Sequence, residues 1–381
     1  MAPEVLEAML PFLKEFWGNP SSAYHFGKQL AQQIEHARAR VAALINAEPR
    51  EIIFTSCGTE SNNSALHSAF IANPAKRHLV TTAVEHSANI KFATFLQKQG
   101  YEVTFLAVEP DGSLDLHLLE KSIRPDTALV SIMWANNETG ILFPIEEIAA
   151  ICRSKAVLFH TDAVQAAGKL RIDVREIGAD FLSLSAHKVH ALKGIGALFA
   201  RKRTKFHPYI IGGGQECGRR GGTENVAGMI GFGRAAELAL AGLKDENERV
   251  RRLRDKLETG ILTRISGVTR NGAKEPRLPN TTNIAFDGVE AEAILLLLDQ
   301  AGICASSGSA CTTGSLDPSH VLIAMGCSAA RARSSIRFSL GMFNIEAEVD
   351  YTLEVLPAII RRLRGEELSG HAVRTAAARS G

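Results

Sequence analysis

Two side chains of opposite charge follow two apolar runs that are typical of buried strands. Asp162 ends one run, and Lys188 follows another with Ser185 and His187 beside it. A lysine at such a place is commonly a solvated residue of a surface turn. A partly desolvated lysine instead loses its proton readily and becomes a nucleophile. Pyridoxal phosphate (PLP) chemistry needs such a lysine and a carboxylate on the pyridinium nitrogen, so the pair favours a PLP site.

Further polar groups follow other strand-like runs. Gly58 and Thr59 stand where a strand passes into a helix, and the backbone N–H groups of a helix N-terminus suit a phosphate. Ordinary N-capping is the alternative. His86 ends the next strand as a structural histidine or as a group facing the same crevice. Asn137 lies in an Asn-rich turn that could serve a cofactor ring.

Three later segments also carry chemical groups. The Gly/Arg loop 212–224 contains Thr223, and is either merely flexible or a phosphate contact. Cys311 lies among small polar residues, which favours an accessible, mobile thiol over a packed one. Arg337 stands in a strand, either at a surface edge or as a bidentate partner for a substrate carboxylate.

Composition limits the class of protein. The chain has 381 residues and a formal net charge of +2, which gives no reason to expect nucleic acid. The aliphatic run 294–298 is too short to span a bilayer, and no basic segment begins a secretory signal. The six cysteines fit no disulfide framework. We expect a cytoplasmic protein with free thiols, no membrane segment and no metal site.

Strands and helices alternate between residues 52 and 184. This alternation predicts an α/β fold with a mostly parallel sheet flanked by helices, and ligands at the carboxyl ends of its strands. We predict a large PLP-binding domain at 15–245 and a smaller α+β domain at 246–364. Residues 1–14 are predicted to be an N-terminal arm joining the small domain, and 365–381 a disordered tail.

The ordered set of motifs resembles one family. Thr-Glu-Ser-Asn-Asn, Asn-Asn-Glu-Thr-Gly, Thr-Asp-Ala-Val-Gln, His-Lys, Gly-Thr-Glu-Asn and Ser-Ser-Gly-Ser-Ala-Cys-Thr occur with family-like spacing between Pro3 and Phe343. The chain is similar to cysteine desulfurases of the NifS/IscS group, PLP enzymes of the aspartate-aminotransferase-like fold. Family members usually begin with a strand and loop close to Tyr-Leu-Asp-Asn-Asn-Ala-Thr-Thr, just before the first residue printed here. That piece is expected beside the active site.

The resemblance implies a role for each matching residue. For the cofactor ring it implies Lys188 as the Schiff-base lysine, Asp162 on the pyridinium nitrogen and His86 stacked on the ring. It implies Asn137 and Gln165 beside the ring hydroxyl. The phosphate-binding residues it implies are Gly58, Thr59, Ser185, His187 and, from a second subunit, Thr223. It further implies Lys188, Cys311 and His86 in catalysis and Arg337 and Asn137 in substrate binding. Cys217 stands where the family commonly has arginine, and Ala191-Leu192-Lys193 replaces Gly-Pro-Lys.

The activity that the resemblance implies is conversion of L-cysteine to L-alanine. The sulfur passes to Cys311 as a persulfide and then to an iron–sulfur scaffold or another acceptor protein, and the enzyme is a homodimer. Related PLP enzymes, namely a selenocysteine lyase or a small-substrate aminotransferase, are alternatives. An aminotransferase has no use for a thiol in a mobile loop. An inactive homologue that binds partners in a sulfur-transfer complex is the alternative of a different class.

Overall fold

A seven-stranded sheet forms the centre of the first of two structural units. The computed structural model describes residues 1–308 and 317–366. The first unit comprises 1–137, 141–247 and 275–278, and the second comprises 138–140, 248–274 and the chain from 279 onward. The strands of the first sheet are β1 (Ile52–Thr55), β2 (His78–Thr82), β3 (Glu102–Leu106), β4 (Thr127–Ser131), β5 (Leu158–Asp162), β6 (Phe181–Ser185) and β7 (Gly196–Ala200).

The strand order is β1-β7-β6-β5-β4-β2-β3. The neighbours from β6 to β3 run parallel, whereas β7 pairs antiparallel with both β1 and β6. Every residue of β1, β2, β4, β6 and β7 is buried, as expected for strands whose two faces are both covered by helices. The predicted α/β class with a mostly parallel sheet is confirmed. The antiparallel strand β7 is absent from the sequence-based prediction.

Helices cover the sheet of the first unit. They are α1 (Pro3–Lys14), α2 (His25–Leu44), α3 (Gly58–Ala72), α4 (Ser87–Lys98), α5 (Leu116–Ser122), α6 (Ile145–Ser154), α7 (Val174–Ile177), α8 (Gln215–Gly218) and α9 (Val226–Ala241), with 3₁₀ turns at Pro49–Glu51 and Ala186–Val189. Among the described residues no single helix is long and apolar enough to cross a membrane. The pair α9 and α10 (Leu243–Arg264), bent by 76°, passes that test together on length and composition.

The second unit is built on a four-stranded antiparallel sheet of order β10-β11-β9-β8. Its strands are β8 (Val268–Arg270), β9 (Thr281–Phe286), β10 (Ser306–Ser307) and β11 (Ser335–Ser339), and its helices after α10 are α11 (Ala291–Gln300), α12 (His320–Ala324), α13 (Ala329–Arg333) and α14 (Glu346–Leu363). Ile284, Phe286 and Ile336 pack in one core with Leu298 of α11 and Leu356 of α14. This unit has the predicted α+β character.

The unit boundary at Asn247 lies close to the predicted domain boundary, but the N-terminal helix differs from the prediction. Helix α1 belongs to the first unit, where its buried side chains Val5 and Met9 meet α9. A methyl group on Gly231 of α9 would collide with Met9, so the glycine lets the two helices approach closely. The apolar stripe of α1 is therefore buried against α9, which the sequence pattern of α1 alone could not indicate. The predicted tail lies largely outside the described residues.

Candidate active site

The N-terminus of α3 lies against the loop that follows β5 and against the last residue of β6. A Cβ atom on Gly58 would stand 2.9 Å from Val164 Cγ2 and 3.3 Å from Ser185 Cβ. The hydroxyl of Ser185 is 3.0 Å from Nδ1 of His187. Cys57, the N-cap residue, makes no side-chain hydrogen bond to the helix. The absence of a side-chain cap leaves first-turn N–H groups without that partner, in a cradle that only a glycine permits.

Glu60 in the first turn of α3 ties this helix start to the Gly/Arg loop. Its Oε1 accepts a hydrogen bond from Arg220 Nε at 2.9 Å, and its Oε2 accepts one from Ser56 N at 2.8 Å. Burial acts to raise the pKa of Glu60, but hydrogen bonds from Arg220 and Ser56 outweigh it, and the net pKa lies below its usual value. The charged Glu60 thus fixes the turn without occupying the Gly58–Ser185 contact.

Asp162 ends β5 in the middle of the sheet, and its carboxylate is held by two donors. Asn62 Nδ2 donates to Oδ2 at 2.6 Å, and Val164 N donates to Oδ1 at 3.0 Å. Asp162 is only 6% exposed. The sequence analysis assigned no role to Asn62. Its spacing was the available signal, because a residue four positions after Gly58 lies on the same face of α3.

Lys188 lies in the 3₁₀ turn between β6 and β7. The two strands pair antiparallel, and the pair of residues nearest this turn is Ser185 and Gly196. Lys188 is half-buried, and its positive charge contributes to lowering the pKa of two neighbouring residues. Burial and then the charge of Lys188 lower the pKa of Lys169 to about 8. The same two causes lower the pKa of His187. Lys169 donates from Nζ to the carbonyl of Gln165 at 3.0 Å, so this second lysine, which the sequence analysis missed, fixes the backbone at Gln165.

His86 caps helix α4, where its Nδ1 accepts a hydrogen bond from Ala88 N at 3.2 Å. Accepting at Nδ1 places the ring proton of the neutral form on Nε2. The neighbouring Glu85 is completely buried and accepts hydrogen bonds from Thr82 Oγ1, Asn89 Nδ2 and Met133 N. Burial, reinforced by the charge of Asp162, raises the pKa of Glu85 to about 7.

Asn136, the residue before the predicted cofactor contact Asn137, supports the Asn-rich turn. Its amide donates to the carbonyl of Val84 at 3.0 Å, and its backbone N–H donates to Ile141 O at 2.8 Å. Asn136 is buried and Asn137 is half-buried. The structure thus gives Asn136 the bracing role and leaves the predicted role of Asn137 as a prediction.

The Gly/Arg loop is anchored by Glu216. Arg38 makes a bidentate pair with it, Nη1–Oε2 at 2.6 Å and Nη2–Oε1 at 2.8 Å, and Phe54 N donates to Oε2 at 2.8 Å. Glu216 and Cys217 both adopt left-handed backbone conformations, with φ of 50° and 56°. The exposed Thr223 lines a cavity of about 220 Å³ whose walls include Ser56, Arg220 and Asn225. Within the described part of one subunit, Thr223 therefore contributes to this cavity and not to the cradle formed by Gly58 and Ser185.

Two predicted residues belong to the second part of the chain. Arg337 is half-buried on β11, opposite Asn283 of β9 and Ser306 of β10. Cys311 lies outside the described residues. The structure therefore brings Gly58, Asp162, Ser185 and His187 together in the first unit, places Arg337 in the second, and does not describe Cys311.

Comparison with known proteins identifies the family. A family model for Aminotransferase class-V matches residues 1–352. The chain belongs to the class-V aminotransferases. It is 54% identical over 361 residues to cysteine desulfurase 2 of Trichormus variabilis, covering 95% of this chain and 90% of that protein. It is 49% identical over 362 residues to the cysteine desulfurase NifS of Azotobacter vinelandii, again covering 95% and 90%.

Solved structures give the same result. A structure described as a NifS-like protein has a TM-score of 0.90 and 38% identity, over 95% of this chain and 97% of that chain. A NifS-like protein from Rickettsia africae has a TM-score of 0.85 and 33% identity, over 94% and 96%. The resemblance drawn from the motifs is confirmed, and the chain is a PLP-dependent enzyme of this family.

The described residues of the first unit fit PLP. The cradle that a side chain at Gly58 would fill, together with the hydroxyl of Ser185 and the ring of His187, suits a phosphate group. Asp162 offers a buried carboxylate already oriented by Asn62 and Val164. Lys188 supplies an amine in the turn after the neighbouring strand β6. The chemistry of this donor set is what the family's cofactor requires.

Proposed function

We propose that this protein is an L-cysteine desulfurase that releases L-alanine and transfers the substrate sulfur to Cys311 as a persulfide. The observation that carries the proposal is near-full-length identity of about 50% to cysteine desulfurases, combined with the oriented Asp162 and Gly58 cradle. Bound PLP supplies an electron sink for the substrate Cα. Selenocysteine lyase and aminotransferase activities are the alternatives to be tested beside it.

Each predicted site residue has its own role in the proposed reaction. Lys188 would hold the cofactor through its amine, and the carboxylate of Asp162 would pair with the ring nitrogen. His86, whose neutral form carries its proton on Nε2, would move a proton during the reaction. Arg337 binds the substrate carboxylate through its guanidinium group. The thiolate of Cys311 takes the sulfur atom and carries it as a persulfide.

Replacement of Cys311 by serine tests the central step. With L-cysteine, PLP and a reductant, the wild-type chain should release alanine and sulfide. Cys311→Ser should bind PLP and show the spectral change on addition of L-cysteine, yet release almost no alanine. Cys304→Ser is the matched control, because Cys304 is an exposed thiol close by in sequence. Wild-type turnover in Cys311→Ser, or a persulfide mapped to another cysteine, contradicts this mechanism.

We also propose that the enzyme is a homodimer. A groove of about 570 Å³ is lined by Thr59, Phe92, Phe95 and Tyr209. Phe95 is 52% exposed and Ile211 is 85% exposed. Exposed apolar side chains grouped in this way favour a protein interface, and two-fold dimers are the commonest assembly. Thr223 lies two residues after Gly221, whose N–H donates to the carbonyl of Ile210 at 2.9 Å beside the exposed Ile211, and it would then serve the phosphate site of the second subunit.

The sulfur acceptor and the location are part of the same proposal. The acceptor would be an iron–sulfur scaffold or another sulfur-accepting protein, because a persulfide needs a thiol to receive its sulfur. A cytoplasmic location is supported by the described cysteines, all of which are free thiols. Radiolabelled sulfur from L-cysteine should pass from the purified enzyme to a thiol-bearing scaffold and not to its serine variant.

A further inference from the structure

One buried carboxylate contacts both flanks of the segment that contains Cys311. That segment, 309–316, is outside the described residues, whereas Gly308 and Ser319 on its two sides are described. Ser319 Oγ donates to Glu138 Oε2 at 2.5 Å. A Cβ atom on Gly308 would overlap the same Oε2 and would lie 3.2 Å from Ser319 Cβ. Glu138 thus lies against the backbone of one flank and bonds to the other.

Glu138 is itself held in place from β9. Asn283 Nδ2 donates to the carbonyl of Glu138 at 3.2 Å, and Asn271 Nδ2 donates to Asn283 Oδ1 at 2.7 Å. Two residues later, Gly140 adopts φ of 80°, and a Cβ there would stand 3.2 Å from Thr281 Cβ. The backbone of residues 138–140 is therefore seated on a buried strand. A side chain on such a base can hold other groups at a fixed place.

The surroundings of Glu138 are charged on several sides. The residue is 2% exposed, and this burial raises its pKa. The hydrogen bond from Ser319 and the positive charges of His320 and Arg337 oppose that shift. Two explanations therefore compete. Glu138 acts either by the length and contacts of its side chain or by its charge beside Arg337.

We propose that Glu138 is a positioning residue that fixes Gly308 and Ser319 by contact, and so controls sulfur transfer by the segment between them. This inference rests on the proposed role of Cys311. It places Glu138 outside PLP binding and outside L-cysteine binding. It assigns a function to the glutamate of Asn-Asn-Glu-Thr-Gly, for which the sequence analysis gave none.

Two conservative substitutions separate contact from charge. Glu138→Asp keeps the charge but shortens the side chain by one methylene, so it cannot reach both flanks. Glu138→Gln keeps the length and can still accept from Ser319. We expect kcat for alanine release to fall about tenfold to 100-fold in Glu138→Asp, because displacements of about 1 Å cost that much. KM should change by less than about twofold, and Glu138→Gln should retain most of kcat.

Ser319→Ala and Gly308→Ala provide the second test, and Ser328→Ala is the matched control. Ser319 and Ser328 both cap five-residue helices, but only Ser319 bonds to Glu138. Ser319→Ala and Gly308→Ala should lower kcat as Glu138→Asp does, with Ser328→Ala at the wild-type value. These variants decide the question if Glu138→Asp does not fold. The spectral change on adding L-cysteine should persist in every folded variant.

Labelling of Cys311 by iodoacetamide gives a readout that does not require turnover. We expect faster labelling in Glu138→Asp and Ser319→Ala than in wild type or Ser328→Ala. Wild-type kcat and labelling in Glu138→Asp would overturn the inference. A raised KM in Glu138→Gln with Glu138→Asp unaffected would also overturn it. That result would show that Glu138 acts through its negative charge beside Arg337. Failure of the wild-type chain to release alanine would contradict the proposed function, while the labelling result would still test Glu138.

Discussion

At the scale of single residues, the carboxylate of Asp162, which we propose pairs with the cofactor ring, is already oriented by hydrogen bonds within the protein. Asn62 donates to it at 2.6 Å across a long sequence separation. Asn62 lies in α3 and Asp162 lies in β5. The local sequence pattern of either element therefore does not indicate the hydrogen bond between them. The sequence did indicate that Asp162 and Lys188 stand at strand ends. It could not indicate which amide reaches the carboxylate, since that depends on how α3 lies across the sheet.

Removal of the Asn62 amide should weaken PLP binding. A hydrogen bond to a charged group contributes about 1.5–3 kcal/mol, so Asn62→Ala should raise the PLP dissociation constant by about tenfold or more. Titration of the apoenzyme with PLP, followed by absorbance, measures this. Asn63→Ala is the control, because Asn63 is the next residue of α3, whereas the donor to Asp162 is Asn62. Equal affinities of the two variants would refute the role of Asn62.

Glu85 should make the stability of the fold depend on pH. Its pKa in the folded protein is about 7, above the usual 4.5. A raised carboxyl pKa means that its contribution to stability is complete below about pH 4.5 and is lost as the pH rises through about 7. Glu85→Gln has no such titration. The free energy of unfolding of Glu85→Gln relative to wild type should therefore increase between these two pH values.

Urea unfolding of both proteins across that range measures the difference. Asn89 can accommodate the substitution, because its Oδ1 is buried without a hydrogen bond and could accept from a glutamine amide after a flip. Other titrating groups, including the buried His160, cancel in the comparison since both proteins contain them. A difference that stays constant with pH would show that Glu85 is already ionised in the folded protein.

At the scale of elements, the Gly/Arg loop depends on one buried ion pair. Arg38 of α2 and Glu216 of α8 are both nearly inaccessible and meet in a bidentate geometry. Removing one partner from such a pair leaves a buried charge, at a cost of about 3–5 kcal/mol. We expect Arg38→Met to destabilise the first unit by that amount. Glu216→Gln should have a similar effect.

The double variant distinguishes pairing from simple loss of packing. Arg38→Met combined with Glu216→Gln should be much less destabilised than the sum of the single variants, because no unpaired charge remains. Arg40→Met is a control on the same helix, since Arg40 pairs with Glu237 at 3.7 Å and both side chains are partly exposed. Such pairs contribute little. Additive single effects would contradict the coupling.

The elements also show where sequence patterns fall short. The parallel strands and their connecting helices followed from alternating apolar and helical segments, and the α/β class was predicted on that basis. Strand β7 was missed because Gly196-Ala197-Leu198-Phe199-Ala200 is short and follows a glycine-rich turn. Its pairing with β1 and β6 is tertiary. The left-handed backbone at Glu216 could not be predicted either, because its side-chain bonds to Arg38 and Phe54 compensate the strain.

At the scale of the whole molecule, the proposed dimer makes a prediction about mixed subunits. If Thr223 serves the neighbouring phosphate site, a mixed dimer of Lys188→Ala and Thr223→Ala subunits contains one complete site. That site joins Lys188 of one subunit to Thr223 of the other. Mixing the two inactive or weakened proteins under conditions of subunit exchange should therefore restore part of the PLP binding and alanine release.

The surface itself supplies the control for this experiment. Ile211→Asp should weaken association, because it places a charge on a side chain that is now 85% exposed and apolar. Sedimentation should show a larger monomer fraction, and mixing should restore less activity. Leu13→Asp, at another exposed apolar residue, should leave the sedimentation unchanged. A fully active wild-type monomer would contradict the proposed dimer.

The antiparallel strand β7 has a consequence for the order in which the chain acquires its structure. The turn with Lys188 closes between β6 and β7, two strands that are near neighbours in sequence. Strand β1 leads into α3 and lies at the edge of the sheet, where among the described strands its partner is β7, which is far away in the sequence. Local contacts form sooner than distant ones during folding. We therefore expect the lysine turn to exist before the Gly58 cradle does, so that the cofactor is captured late. Pulsed hydrogen exchange during refolding should protect β6 and β7 before β1, and simultaneous protection of all three would argue against this order.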